Sequence, residues 1–264
     1  MITSKSNQAI KQYRKLLDRK ERQQTGLALV EGVRIVIEAV TQGVDIECLI
    51  VAPELLVSSV GQQAVSQMEQ SGGPVLVVSG PVFQTLSQKD GPQGIAAVIR
   101  QRWEMLDHLS PARGALWAAL DSVQDPGNLG TILRTLDAVG GDGVILLDHC
   151  TDPYGPTAVR ASMGSVFSQR LIKTTTDQFI EWKQGQGVAV VGTSGDSNQD
   201  YHLMEYPDPL IVMMGSERQG LTTVQMEICD NLVQIPMVGQ SDSLNLSAAA
   251  AIVLYEIFNQ RRVS

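Results

Sequence analysis

Three stretches place polar or charged side chains directly after apolar, strand-like runs, where parallel α/β sheets present their ligands. In "QDPGNLGTILRTLDAVG", which follows "GALWAALDSV", Asp125, Pro126, Gly127 and Asn128 read as a turn, and Asn128 could cap the next helix. Leu129, Ile132, Leu133, Leu136 and Val139 form that helix's apolar face and leave Arg134 off it. A guanidinium there could grip a phosphate bidentately, or it could simply pair with Asp137 three residues on. In "PLIVMMGSERQGL", Gly215 ends a strand where a glycine lets main chain approach a ligand closely, and Glu217 is the first charge after the apolar run. Taken alone, that stretch reads better as a strand-end turn with a surface glutamate. In "IPMVGQSDSLNLSAAAAIVLYEI", Ser243 and Asn245 stand before an alanine-rich helix and either could accept its first N–H groups. The small residues behind them would let another helix or chain approach closely.

These stretches need a scaffold. Residues 114–264 alternate near-continuous apolar strands ("GVILLD", "GVAVVGTS", "PLIVMMG", "LVQIPM") with helix-like segments such as "TAVRASMGSVF" and "TTVQMEICD". That pattern predicts a parallel sheet buried on both faces. Residues 1–100 read as a smaller α/β unit: "LALVEG", "IECLIVAP", "PVLVVS" and "GIAAVI" are strand-like, and "VRIVIEAVTQG" is a helix with a glycine stop. Before them, Ile10, Tyr13, Leu16 and Leu17 share a helical spacing in "NQAIKQYRKLLDRKERQQTG", predicting one amphipathic basic helix. "RQRWEMLDHLSPARG" is polar and ends in Pro and Gly, so residues 101–113 are placed as a linker.

With 43% hydrophobic and 18% charged residues the chain has the balance of a packed protein. Its net charge of −8 is unevenly spread. Residues 1–34 hold Lys5, Lys11, Arg14, Lys15, Arg19, Lys20, Arg22 and Arg34 against three acids, a balance of +5 that leaves −13 for the remainder. Such a basic end fits a nucleic-acid footprint, and it fits a solvated helix face equally well. Cys48, Cys150 and Cys229 are too few and too far apart for a disulfide framework or metal knuckle, and the three histidines lack close companions, so no metal is expected. There is no G-x-G-x-x-G after a strand, no G-x-x-x-x-G-K-[ST] and no G-x-S-x-G elbow. No apolar signal core follows Met1 and no apolar run would span a bilayer, so no membrane association and a cytoplasmic location are expected.

In this order, "NLGTILRTLDAVG", "IVMMGSERQGL" and "IPMVGQSDSLNLSAAAAIVLYE" resemble the three motifs of the SpoU (TrmH-like) branch of the SPOUT RNA methyltransferases. The first has Asn-x-Gly followed by Arg, the second Gly-x-Glu-x-x-Gly-Leu, and the third Ile-Pro-Met followed by Ser-Leu-Asn. The segment "ITSKSNQAIKQYRKLLDRKERQQTGLALVEGVRIVIEAV" looks like the L30e-like RNA-binding domain that precedes many of these catalytic domains. The resemblance implies a C-terminal domain tied in a trefoil knot, a homodimer, and methyl transfer from S-adenosylmethionine to a ribose 2′-hydroxyl of RNA. Large-subunit rRNA is the expected substrate; tRNA, or RNA binding without catalysis, is the alternative. It assigns Arg134 to activation of the hydroxyl, Asn128 to positioning, and Glu217, Ser243 and Asn245 to ordering the catalytic site. Gly215, Ile235, Met237 and Leu244 take cofactor-pocket positions, and Arg160 joins Lys11, Arg14, Lys15, Arg19, Lys20, Arg22 and Arg34 as candidate RNA contacts.

Overall fold

The computed structural model describes residues 1–263, which group into two compact units: 1–101 with 152–167, and 102–151 with 168 onward. The first unit opens with α1 (Gln8–Lys15) and α2 (Arg19–Thr25), where the sequence pattern had suggested a single basic helix. The break has a local cause. Asp18 leaves the helical region and its carboxylate accepts the Lys20 amide, so it starts a second helix instead of extending the first. Asn7 caps α1 in the same way, and Gly26 ends α2 in a left-handed conformation.

The unit continues through β1 (Leu27–Glu31), α3 (Val33–Thr41), β2 (Ile46–Val51), α4 (Ser59–Gln70), β3 (Val75–Val77), α5 (Gly80–Phe83) and β4 (Ile95–Arg100). The four strands form one sheet in the order β1-β4-β2-β3, with β4 antiparallel to both of its neighbours. Ile10, Leu29, Ile50, Phe83 and Val98 meet in its core, so the apolar stripe of α1 is what seats the basic segment on the sheet.

The second unit contains β5 (Leu116–Asp121), α6 (Pro126–Ala138) and β6 (Gly143–Leu147). The chain then forms α7 (Pro156–Ser162), which groups with the first unit. It returns through β7 (Arg170–Thr174), α8 (Thr176–Gln184), β8 (Ala189–Thr193), β9 (Leu210–Met214), α9 (Thr223–Ile228), β10 (Asn231–Val233) and α10 (Leu246–Val263). All six strands are parallel, in the order β10-β8-β9-β5-β6-β7, and the central β5 is buried along its whole length. Helix α10 packs on α6. Within the polar stretch expected as a linker, Leu106 and Leu109 are buried in the core of the second unit beside Trp117, Phe179 and Ile211. Glu104 there makes a forked pair with Arg170.

Burial raises the thiols of Cys48, of Cys150 to about 11 and of Cys229 to about 12, which keeps them protonated and unreactive. Among the described residues no group of three or more His, Cys, Asp or Glu is placed to hold a metal ion, and no helix is long and apolar enough to cross a membrane.

Arg22, expected among the RNA-facing cations, is instead buried: its Nε donates to Asp152 at 2.7 Å and its Nη1 to the Leu16 carbonyl at 2.7 Å. That fork holds the turn between α1 and α2 to the loop before α7. An Arg22→Ala chain leaves the Asp152 carboxylate buried without its cation and is expected to lose about 3–5 kcal/mol in urea unfolding. The exposed Lys20→Ala is expected to stay within about 0.5 kcal/mol of wild type.

Candidate active site

The three sequence stretches meet at the carboxyl ends of β5, β9 and β10. After β5 the chain turns at Asp125, whose side chain accepts the Asn128 amide at 2.9 Å, with Pro126 at the first helical position of α6. Asp125 is therefore the cap, and Asn128, expected in that role, is buried one turn inside. Its side chain is free for another task. Asn128 Nδ2 donates to Glu217 Oε1 at 3.2 Å, and its Oδ1 accepts from Asn245 Nδ2 at 2.9 Å. Asn245 Oδ1 in turn accepts the Ser247 and Ala248 amides and the Ser247 hydroxyl, which makes Asn245 the cap of α10.

The direction of every bond in this relay is set by its ends. A carboxylate can only accept and a main-chain N–H can only donate, so both amides have one orientation. Glu217 also takes the Gln124 and Asp125 amides, at 3.1 and 3.2 Å. Partial burial pushes its carboxyl upward, but the two amides and the Asn128 donor outweigh that effect and hold it below the ordinary value.

Gly215, at the end of β9, is buried, and a side chain there would meet the main chain of Gly220 and Leu221 at 2.0–2.3 Å. The loop folds back on itself through reciprocal main-chain bonds between Ser216 and Gly220. The close approach inferred at Gly215 is thus made by the protein's own backbone. This tight loop aims Glu217 at α6.

A cleft of about 590 Å³ opens beside the relay. Gly215, Ile235, Met237 and Leu244 all line it, as do Glu217 and Ser243. Met237 and Leu244 remain exposed, so apolar surface is available to a ligand. Arg134 lies elsewhere. It is an exposed residue of α6, six positions beyond Asn128, about 9 Å along the axis and rotated by about 240°. It lines neither this cleft nor the smaller one next to it, and Asp137 accepts the Ser168 hydroxyl at 2.6 Å. Of the remaining cations, Lys11, Arg19, Lys20 and Arg34 are exposed, as is Lys15; Arg14 is half-buried. Arg160 sits on α7 with its guanidinium 3.3 Å from the Thr157 hydroxyl.

Residues 115–255 match the SpoU rRNA methylase family, and residues 7–97 match an MRM3-like substrate binding domain. The chain belongs to the SpoU rRNA methylase family. It is 32% identical to a Bacillus subtilis protein named 23S rRNA (guanosine(2553)-2′-O)-methyltransferase RlmP, over 97% of this chain and 98% of that one. A Streptomyces viridochromogenes 23S rRNA (uridine(2479)-2′-O)-methyltransferase is 30% identical, over 98% and 92%. The crystal structure of an AdoMet-bound rRNA methyltransferase from Sinorhizobium meliloti superposes with a TM-score of 0.90 at 37% identity, covering 100% of this chain and 98% of that one. The α/β architecture with a six-stranded parallel sheet is that of the SPOUT methyltransferases. The relay itself was only partly visible in the sequence: the motif residues were, but the cap at Asp125 and the bonds from Gln124 were not.

Gly215→Ala has no room for its methyl group and is expected to open the loop, seen as faster hydrogen exchange at the Gly220 amide. Because the Glu217 pKa is depressed in the folded chain, its contribution to stability is complete above the ordinary carboxyl value of about 4.5 and is lost as pH falls through the folded value. The Tm difference between wild type and Glu217→Gln is accordingly expected to be largest near pH 6 and to close as pH falls below about 4.5.

Proposed function

We propose that this protein transfers a methyl group from S-adenosylmethionine to a ribose 2′-hydroxyl of RNA, with large-subunit rRNA as the substrate. The observation that carries the reading is the relay Glu217–Asn128–Asn245, which ties the three family motifs together beside a cleft lined by all four expected cofactor positions. The rRNA preference is supported by the substrate-binding domain match and by the names of the relatives that cover the whole chain.

The cleft suits the cofactor. Its volume lies within the range of about 300–1,000 Å³ usual for small-molecule sites. Apolar side chains from Ile235, Met237 and Leu244 offer a face for the adenine, and the hydroxyl groups of Ser194 and Ser243 offer polar partners. When bound, S-adenosylmethionine supplies an electrophilic methyl group. The chain's own residues must then hold the acceptor and help it lose a proton, since a ribose hydroxyl is a poor nucleophile.

Arg134 serves that step with a permanent charge that favours the developing oxyanion, while the proton passes to a phosphate oxygen of the substrate. Asn128 acts as a positioning residue, because both ends of its amide are held by Glu217 and Asn245. Arg134 lies outside the cleft of its own chain, so it meets a cleft in the homodimer, where the partner copy presents one. The segment between β10 and α10 closes the trefoil knot. Exposed Lys11, Lys15, Arg19, Lys20 and Arg34 give the RNA a cationic face on an otherwise acidic protein that works in the cytoplasm.

Mapping 2′-O-methylation in total RNA from cells with and without the gene is expected to show one rRNA methyl that only wild type restores. Arg134→Ala is expected to lower transfer by about 100-fold or more. Mixing it with a cleft-blocked Leu244→Glu chain is expected to restore part of the activity. Failure of that complementation would place Arg134 in its own chain's site, and a methyl lost from tRNA would reassign the substrate.

A further inference from the structure

The 590 Å³ cleft has a neighbour of about 380 Å³, and the two share a ridge formed by Ser216, Glu217 and Arg218. The smaller cleft is completed by Ser122, Gln124, Asp125 and Gln219. Arg218 is the only cation among the described residues that line either cleft, against Asp125, Glu217 and Asp242. Its side chain is exposed, yet the backbone beneath it is held firmly. Ser216 and Gly220 exchange main-chain bonds, the Gln219 amide donates to the Ser216 hydroxyl, and Gly215 admits no side chain that would loosen the turn.

A transfer reaction needs its two reactants in adjoining sites with a common border. The larger cleft holds the expected cofactor positions, which leaves the smaller one for the acceptor nucleotide. That nucleotide arrives with a phosphodiester, and the smaller cleft meets it with two carboxylates. Unscreened repulsion from each is of order 1 kcal/mol at contact distance in water. Gln124 cannot relieve this, because its side-chain amide already donates to the Ser122 and His149 carbonyls. A guanidinium on the ridge both offsets the acids and matches the phosphate's oxygens as a two-pronged donor.

We propose that Arg218 binds the phosphodiester beside the acceptor nucleotide and holds it on the ridge between the two clefts. The proposal rests on the 2′-O-methyltransferase reading above. It adds a substrate contact at Arg218, a position inside motif two that the Gly-x-Glu-x-x-Gly-Leu pattern leaves open.

Arg218→Ala and Arg218→Lys test it in the full chain, with steady-state transfer, cofactor binding by calorimetry, and RNA binding across a salt series. Arg218→Ala is expected to raise the KM for RNA about 10-fold or more while cofactor Kd and kcat stay within about twofold, because a charge-assisted contact to a phosphate is lost. The slope of log Kd against log salt is expected to shrink by about 0.7 to 0.9, the loss of one phosphate contact. Arg218→Lys is expected to recover the slope and part of the affinity. Unchanged RNA affinity in Arg218→Ala overturns the proposal. So does weaker cofactor binding with RNA binding intact, which would assign the guanidinium to the carboxylate of the cofactor. If wild type transfers no methyl group to RNA, the parent reading fails, and RNA affinity with its salt slope still decides the role of Arg218.

Discussion

The buried amide of Asn128 is the point on which the second unit's geometry turns. It joins a carboxylate delivered by the loop after β9 to the cap of α10, so three segments distant in sequence are fixed by two hydrogen bonds. In a buried setting such a group is costly when unpaired, about 1–3 kcal/mol for each lost partner. The cost enforces specificity, since displacing α10 or the Glu217 loop breaks one of the two bonds to the Asn128 amide. The geometry of the candidate site and the packing of the helices are thereby the same constraint. The α6 and α10 helices pack together, and the polar relay at their amino ends determines their relative position there.

Charge is organised with comparable economy. The basic residues gather near the amino end, and the body is acidic. One of those basic residues has been withdrawn from the surface altogether: Arg22 pairs with Asp152 and works as structure. A sum over the sequence cannot make that distinction, because the same guanidinium counts equally whether it meets solvent or a buried carboxylate. Burial is what separates a cation available to a polyanion from one already neutralised.

Most strands were legible because parallel, doubly covered strands write continuous apolar runs, and β5, β6, β8 and β9 do so. The edge strand β7 was not, since Arg170 and Lys173 interrupt it where it faces solvent. Helix α8 carried a readable signal, a Thr175–Gln178 capping box, that its polar composition obscured. The candidate site was legible as residue types. Glu217, Asn128 and Asn245 stood out, but the bonds among them join positions 89 and 117 residues apart, and no local pattern encodes such pairings. The displaced cap at Asp125 and the split of the first helix at Asp18 follow from short side chains competing for backbone amides, a contest that periodicity does not register.

Helix α7 lies inside the stretch that matches the methylase family, yet it groups with the first unit, where the loop before it is held by Arg22. The first unit is therefore discontinuous in sequence. A single breakpoint near residue 101 would separate Arg22 from Asp152 and divide the first unit instead of releasing it whole. The stretch that matches the methylase family thus supplies residues 152–167 to the unit whose other part, residues 1–101, carries the substrate-binding match.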